Sequence, residues 1–206
     1  MVDYSLELAI IACKLKELIT HREMSHAWVT LLHQFLLVAA ANISYLQTPR
    51  ADKLLRLLTQ ACELLDDRDC SALADITPKP EHWRLFGDFR DGASYLDIET
   101  DGLSRDALVT VVTVHSAKGT VTLTEGIDLS PETLSDALEG TKILVTFNGS
   151  CFDVPVLRNS FPEVDFDYPQ FDLRFASRKV GYRGGLKPLE IDLGITRADE
   201  IDGMDG

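Results

Sequence analysis

Apolar residues recur at helical spacing through the first part of the chain. The segment "PRADKLLRLLTQACELL" (49–65) begins with a proline that suits the first turn of a helix. One face of this predicted helix carries Leu54, Leu55, Leu58, Cys62 and Leu65. The segments "SLELAIIACKLKELI" and "SHAWVTLLHQFLLVAAANISYL" predict two earlier helices, and "DCSALADI" predicts a short later one. Residues 1–76 are therefore predicted to form an all-helical N-terminal region.

The period of the pattern changes after a proline-containing stretch, "ITPKPEH" (76–82), and we interpret residues 77–91 as a linker. Three segments then predict strands: "ASYLDIE", "ALVTVVTVHS" and "GTVTLTEGI". The tripeptide "AKG" predicts a tight hairpin turn between the second and the third. A later continuous apolar run, "KILVTF", is typical of a strand in the buried centre of a sheet.

Helices are predicted between and after the later strands. "SPETLSDALEG" has Ser130 as N-cap, Pro131 at the first helical position and Gly140 as terminator. "CFDVPVLRNSF" predicts a helix with Pro155 in its first turn. "FDYPQFDLRFASRKVG" predicts a short strand and a helix, and "GLKPLEIDLGI" a last helix. Residues 92–206 are therefore predicted to be an α/β domain with a mixed sheet flanked by helices.

The charge of the chain is unevenly distributed. Of a net charge of −13, residues 1–90 carry −2 (10 Lys and Arg against 12 Asp and Glu) and residues 91–206 carry −11 (10 against 21). An acidic C-terminal region argues against tight non-specific binding to a phosphate backbone, but it is compatible with a carboxylate-rich metal site. No signal-peptide pattern begins at Met1, and polar residues interrupt the longest apolar run (28–43). We expect a cytoplasmic protein without a membrane span.

Two carboxylates lie inside the first predicted strand, in "YLDIETDGL" (95–103). Asp97 and Glu99 project from the same face, because residues two apart share a face of a strand. Two close anions repel each other and raise each other's pKa unless a cation lies between them. Oxygen ligands of this kind suit Mg²⁺ or Mn²⁺. The alternative is a strand end at which both carboxylates are solvated.

A third acidic residue follows the buried strand, in "VTFNGSCFD" (145–153). Asp153 is predicted to begin the next helix, with Phe152 packed beneath it and Asn148 closing the turn through its side chain. The carboxyl ends of strands are where α/β sheets usually place their sites. The alternative for Asp153 is simple helix capping.

These motifs resemble those of the DnaQ-like DEDD exonuclease superfamily, which has the ribonuclease H-like fold. Asp97 and Glu99 match its Asp-x-Glu motif on the first strand. Phe152 and Asp153 match the Phe-Asp-like pair that follows a central strand. The resemblance covers residues 92–206, and residues 1–80 match no family that we can name.

The later segment "FDLRFASRKVGYRGGLKPLEIDLGI" resembles the YprB branch of predicted exonucleases. That branch has an Asp-Leu pair before a helix, matched by Asp172 and Leu173, and then a Gly-Leu-Lys turn, matched by residues 185–187.

The resemblance implies metal-dependent 3′–5′ hydrolysis of phosphodiester bonds at a single-stranded DNA or RNA end. Two divalent ions, Mg²⁺ or Mn²⁺, are expected. By this analogy Asp97 bridges the ions, Glu99 completes one site and Asp153 acts largely through metal-bound water. The expected substrate-contacting residues are Thr100, Asn148, Phe152, Asp172, Arg183 and Lys187. A solvated turn would explain Arg183 and Lys187 equally well, and a helix cap would explain Asp172.

The family pattern also includes a fourth carboxylate, preceded by His or Tyr, on a helix well after the Gly-Leu-Lys turn. This sequence ends at "EIDGMDG", about where the family continues into that helix, and we assign the role to none of Asp199, Asp202 and Asp205. Loss of that ligand is expected to lower metal affinity and rate by orders of magnitude.

Two other functions therefore remain open. The chain could be a catalytically inactive ribonuclease H-like binding or scaffold protein, with a protein partner docked through the helical N-terminal region. It could also be a phosphohydrolase for small phosphoesters.

Overall fold

The computed structural model describes residues 49–195, in which a five-stranded mixed sheet has helices on both faces. The strands are β1 (Ala93–Thr100), β2 (Val109–Ser116), β3 (Gly119–Thr124), β4 (Ile143–Thr146) and β5 (Gln170–Asp172). Their order across the sheet is β3-β2-β1-β4-β5. The pairs β1–β2 and β2–β3 are antiparallel, whereas β1–β4 and β4–β5 are parallel. The predicted α/β class and mixed sheet are confirmed.

The α-helices of the described residues are α1 (Pro49–Asp66), α2 (Cys70–Ile76), α3 (Phe86–Phe89), α4 (Pro131–Ala137), α5 (Asp153–Ser160), α6 (Leu173–Lys179) and α7 (Leu186–Asp192). All but α3 were predicted from the apolar pattern. The two helices predicted before residue 49 lie outside the described residues. Between 49 and 195, no helix is both long and apolar enough to cross a bilayer.

Short polar side chains begin several of these helices. Ser130 caps α4: its hydroxyl accepts from the backbone N–H of Thr133, and the Thr133 hydroxyl accepts in return from the backbone N–H of Ser130. Pro155 does not interrupt α5 because it lies in the first turn, where its missing N–H would have no partner within the helix.

The sheet separates two hydrophobic cores. The first core packs α1, α2, α6 and α7 against the face that carries Ala93, Tyr95 and Val145. The second packs α4 and α5 against the face that carries Leu96 and Ile98. Burial on both faces explains why β4 is entirely apolar except for Thr146 at its end.

Residues 77–91, which we interpreted as a linker, are folded into the domain. They contain a 3₁₀-helix (Lys79–Leu85), α3 and the beginning of a 3₁₀ turn (Arg90–Gly92). Trp83, Phe86 and Phe89 are buried in the first core, and the ring centroid of Phe86 lies 4.9 Å from that of Phe171. The interpretation as a linker was wrong in this respect, because aromatic burial fixes a segment that has no regular periodicity.

Candidate functional site

The carboxyl ends of three neighbouring parallel strands meet at one edge of the sheet. Tyr95 of β1 pairs with Val145 of β4, and Thr146 pairs with Asp172 of β5. Asp97 and Glu99 come at the end of β1, and Asp153 follows β4 after a short loop. The fold therefore brings the three predicted catalytic residues to the same edge, with Asp172 beside them.

The alternation predicted for β1 is confirmed. Leu96 and Ile98 are buried in the second core, so Asp97 and Glu99 project from the opposite face. Asp97 is half-buried and Glu99 is exposed. The two side chains therefore lie between the first core and solvent, at the boundary where a polar ligand could reach them.

The strand becomes irregular immediately after these carboxylates. The pairing of β1 with β2 shifts between Glu99 and Thr100. The Thr100 hydroxyl donates to the carbonyl of Gly102 at 2.6 Å, so it is engaged in the turn. Asp101 accepts from the backbone N–H of Leu108 at 2.8 Å, as expected of a turn residue.

Asp153 has a strongly perturbed carboxyl group. It is only 6% exposed, and burial raises its pKa from 3.8 to about 7. The negative charges of Asp172 and Glu99 raise the pKa further, whereas the backbone N–H groups of Asp153 and Ile98 oppose the shift. Asp153, at the start of α5, is therefore electrostatically coupled to carboxylates of β5 and β1.

Asp153 does not occupy the N-cap position of α5. The N-cap position of α5 belongs to Phe152, whose side chain makes no capping hydrogen bond, and Asp153 is the first helical residue. Phe152 packs against the second core.

The turn between β4 and α5 is closed by the backbone of Asn148, which has a left-handed φ of 67°. The Asn148 carbonyl accepts from the backbone N–H groups of Cys151 and Phe152. Its side-chain oxygen instead accepts from the Arg174 guanidinium at the start of α6. The predicted closure through the Asn148 side chain was therefore wrong, since that side chain connects the turn to α6.

Asp172 connects the same turn to β5. One carboxylate oxygen accepts from the backbone N–H groups of Asn148 (2.9 Å) and Arg174 (3.1 Å). The other accepts from the backbone N–H and the hydroxyl of Ser150. Four donors leave Asp172 little capacity for a further ligand, so its role in this arrangement is to hold the turn that precedes Asp153. The cap at the start of α6 is one part of this role.

Ser150 and Arg174 were not predicted as site residues. A hydrogen bond between residues 22 to 26 positions apart leaves no periodic signal in the sequence. The only local signal was the position of Asp172 just before a predicted helix.

Gly149 is required where the turn passes close to the end of β4. A Cβ atom on Gly149 would lie 2.5 Å from Cβ and 2.6 Å from Oγ1 of Thr146. Thr146 is completely buried and cannot move aside easily.

We expect Gly149→Ala to lower the free energy of unfolding by about 1–3 kcal/mol, because the added methyl group overpacks the turn. Urea unfolding of the two proteins measures this change. Gly102→Ala is the matched control, since its new methyl group meets only the Cβ atom of Ala107, at an ordinary contact distance of 3.9 Å. Equal unfolding midpoints for the two variants would contradict the close approach.

Arg183 and Lys187 are both exposed, on the turn before α7 and in its first turn. The neighbouring Tyr182 is half-buried against the first core and anchors this turn. The structure therefore leaves the two cations accessible without bringing them into contact with the carboxylates.

The donor set at the sheet edge suits a divalent cation in its chemistry. Asp97, Glu99 and Asp153 offer only carboxylate oxygens, which Mg²⁺ and Mn²⁺ prefer. Within residues 49–195, however, no three Asp, Glu, His or Cys side chains form a group already arranged to hold a metal ion. The strands position the donors, and the side chains would have to converge around an ion. Residues 196–206, including Asp199, Asp202 and Asp205, lie outside the described part of the chain.

Comparison with known proteins identifies one family. The family model RNase_H_2, described as RNase_H superfamily, matches residues 94–206. No curated protein and no solved structure gives a significant match. The matched region begins one residue after the start of β1 and includes every carboxylate of the site.

Proposed function

The chain belongs to the RNase H superfamily, and from this premise we propose that residues 92–206 form a metal-dependent 3′–5′ exonuclease of the DnaQ-like DEDD type. Membership of the superfamily supports a nuclease-type or nucleic-acid-binding function at the coarse level. The exonuclease activity, the YprB branch and the single-stranded DNA or RNA substrate are the finer parts of the proposal.

One observation carries the proposal most directly. A buried aspartate at the start of α5 has its pKa raised to about 7, chiefly by burial and to a smaller extent by the charges of Asp172 and Glu99. Burying a carboxylate beside others is costly, and functional sites are where such costs are commonly found. Asp97 lies two residues before Glu99 on the same face of β1.

In the proposed site Asp97, Glu99 and Asp153 would hold two Mg²⁺ or Mn²⁺ ions. Such ions activate water and stabilise the charge that develops on a phosphodiester during hydrolysis. A nearby positive charge lowers a carboxyl pKa, so Asp153 would bind in its ionised form. Asp172, Ser150 and Arg174 would act as positioning residues, because they hold the turn that precedes Asp153.

The proposed substrate contacts divide by location. Arg183 and Lys187 are exposed cations that could bind phosphate groups of a strand. Phe152, Asn148 and Thr100 border the carboxylates, but the Thr100 hydroxyl and the Asn148 side-chain oxygen already have partners within the protein.

The direction of cleavage tests the proposal. We expect a 5′-labelled single-stranded oligonucleotide, DNA or RNA, to yield a ladder of progressively shorter labelled products in Mn²⁺. The same strand labelled at its 3′ end should release a labelled mononucleotide at once. Immediate release of the 5′ label would contradict the polarity, and internal fragments of fixed size would contradict exonuclease action.

A catalytically inactive binding or scaffold protein is the second candidate. The absence, among residues 49–195, of three side chains arranged to hold a metal favours it. In this case the helical N-terminal region could dock a protein partner. Metal-dependent turnover separates the two candidates.

A further inference from the structure

A groove of about 940 Å³ lies beside the carboxylate edge. The segment from α2 to the 3₁₀-helix lines one side with Asp75, Lys79 and Trp83, among others. Residues of α5, β5 and α6 line the other side. The groove is thus built jointly by the helical region before the sheet and by the edge strand of the sheet.

The groove adjoins the turn that precedes Asp153. Ser150 and Asp172, which hold the turn before Asp153, form part of its lining. Val154, the next residue after Asp153, also lines it. Asp97, Glu99 and Asp153 are not part of the lining, so the groove neighbours the carboxylates through this turn.

One wall of the groove is basic in an otherwise acidic protein. Residues 173–189 contain five Lys and Arg residues and no Asp or Glu, although the whole chain has a net charge of −13. Arg178 and Lys179 of this segment line the groove. Lys79 faces the same space from the 3₁₀-helix, whereas Arg158 is paired with Asp167 at 3.4 Å.

Two of these cations are available to a ligand. Lys79 and Arg178 form no ion pair within the described part of the chain, whereas Lys179 lies 3.3 Å from Glu81. Of the three acidic residues of the lining, Asp172 accepts from four donors and Asp167 is paired with Arg158, whereas Asp75 is exposed and forms no ion pair within residues 49–195. Two unpaired cations against one unpaired carboxylate leave a net positive charge, which favours an anionic ligand.

Aromatic surface lies next to the unpaired cations. Phe175 lines the groove and is 42% exposed, and the Arg178 guanidinium lies 5.9 Å from the centroid of its ring. The groove therefore combines cationic and aromatic surface.

We propose that this groove binds a single strand of nucleic acid next to the carboxylate edge, with phosphates on Lys79 and Arg178 and a base stacked on Phe175. Alternating phosphates and flat bases match the combination of unpaired cations and exposed aromatic surface. The inference rests on the proposed function, because it assumes that the 3′ end of the nucleic acid lies at Asp97, Glu99 and Asp153. The groove would then bind the part of the nucleic acid that leads away from that end. It also assigns residues before the sheet to substrate binding.

Binding of a fluorescent single-stranded oligonucleotide to the full chain in EDTA, followed by fluorescence anisotropy, tests this inference without cleavage. We expect the double variant Lys79→Gln/Arg178→Gln to bind about tenfold more weakly than the wild type. The slope of the logarithm of the binding constant against the logarithm of the salt concentration should also become shallower by about 1.4, because each phosphate contact on a single strand contributes about 0.7. Phe175→Ala should bind at least about fivefold more weakly through loss of stacking. Lys53→Gln/Arg56→Gln on the exposed side of α1 makes the same charge change outside the groove and should bind like the wild type.

The inference is overturned if the groove variants bind like the wild type, or if the wild type does not bind. It is also overturned if polyglutamate competes as strongly as the oligonucleotide while Phe175→Ala has no effect, because the groove would then be an unselective anion surface. A chain that binds through the groove but never cleaves in Mn²⁺ would contradict the proposed function alone. A chain that cleaves while its groove variants bind normally would contradict this inference alone.

Discussion

Asp153→Asn is expected to stabilise the metal-free protein and, at the same time, to abolish its proposed nuclease activity. Above neutral pH, the wild-type chain must bury an ionised carboxylate beside Glu99 and Asp172. Asparagine has nearly the same shape, and its side-chain oxygen can still accept from the backbone N–H groups that face Asp153. The substitution removes the buried charge without leaving a cavity.

The size and the pH dependence of this effect follow from the pKa of Asp153. That pKa rises from 3.8 in the unfolded chain to about 7 in the folded one, so the protonated form is favoured by folding. Its stabilising contribution is complete below about pH 4 and is lost as the pH rises to about 7. The shift corresponds to about 4 kcal/mol at about pH 8, at 1.36 kcal/mol per unit.

Urea unfolding in EDTA measures this difference. The free energy of unfolding of Asp153→Asn should exceed that of the wild type by a few kcal/mol at about pH 8 and by much less at about pH 4. Asp136→Asn, an exposed substitution on α4, is the control for the change of charge and should have little effect at either pH. A pH-independent difference, or a loss of stability at about pH 8, would contradict the account of Asp153.

A gain in stability together with a loss of activity would have a clear interpretation. Replacing a residue that stabilises the fold seldom makes the protein more stable. Residues that bind a ligand, in contrast, often lower the stability of the free protein, so replacing them can raise it. Asp172 provides the contrast, because its four hydrogen-bond donors would be left unsatisfied by Asp172→Ala. That variant should therefore be less stable than the wild type.

Most helices and strands, and the position of the carboxylates at one edge of the sheet, were predictable from local sequence patterns. The period-two alternation in "YLDIE" placed Asp97 and Glu99 on one face, and the structure confirms that Leu96 and Ile98 lie on the other. The apolar run "KILVTF" followed by a turn placed Asp153 at the start of a helix after a buried strand. Hydrophobic periodicity and turn-forming residues are signals that extend over only a few residues, so they can be recognised in a single sequence.

The features that the sequence did not predict depend on contacts between residues far apart in the chain. The segment containing Trp83, Phe86 and Phe89 has no helical period and two nearby prolines, so its burial in the first core follows only from the completed sheet. The bonds from Asp172 to Ser150 and from Arg174 to Asn148 likewise join β5 and α6 to a turn more than twenty residues earlier. Neither kind of contact has a local signal.

The central claim is that the carboxylates at this edge of the sheet hydrolyse nucleic acid, and Asp97 is the residue that tests it best. It is half-buried on a central strand, on the same face as Glu99 and at the same edge as Asp153. Its removal deletes a donor from a site that has no preformed group of three among the described residues. We expect Asp97→Ala to lower the rate by at least about a thousandfold, as loss of a group used in the transition state does.

The measurement is the Mn²⁺-dependent shortening of a 5′-labelled single-stranded oligonucleotide by the wild type and by Asp97→Ala. The exposed substitution Asp106→Ala is the matched control, and the urea midpoints of all three proteins establish that they are folded. The account predicts a ladder of products from the wild type and the control that disappears with Asp97→Ala and in EDTA. No shortening by the folded wild type, or an undiminished ladder from Asp97→Ala, would contradict it.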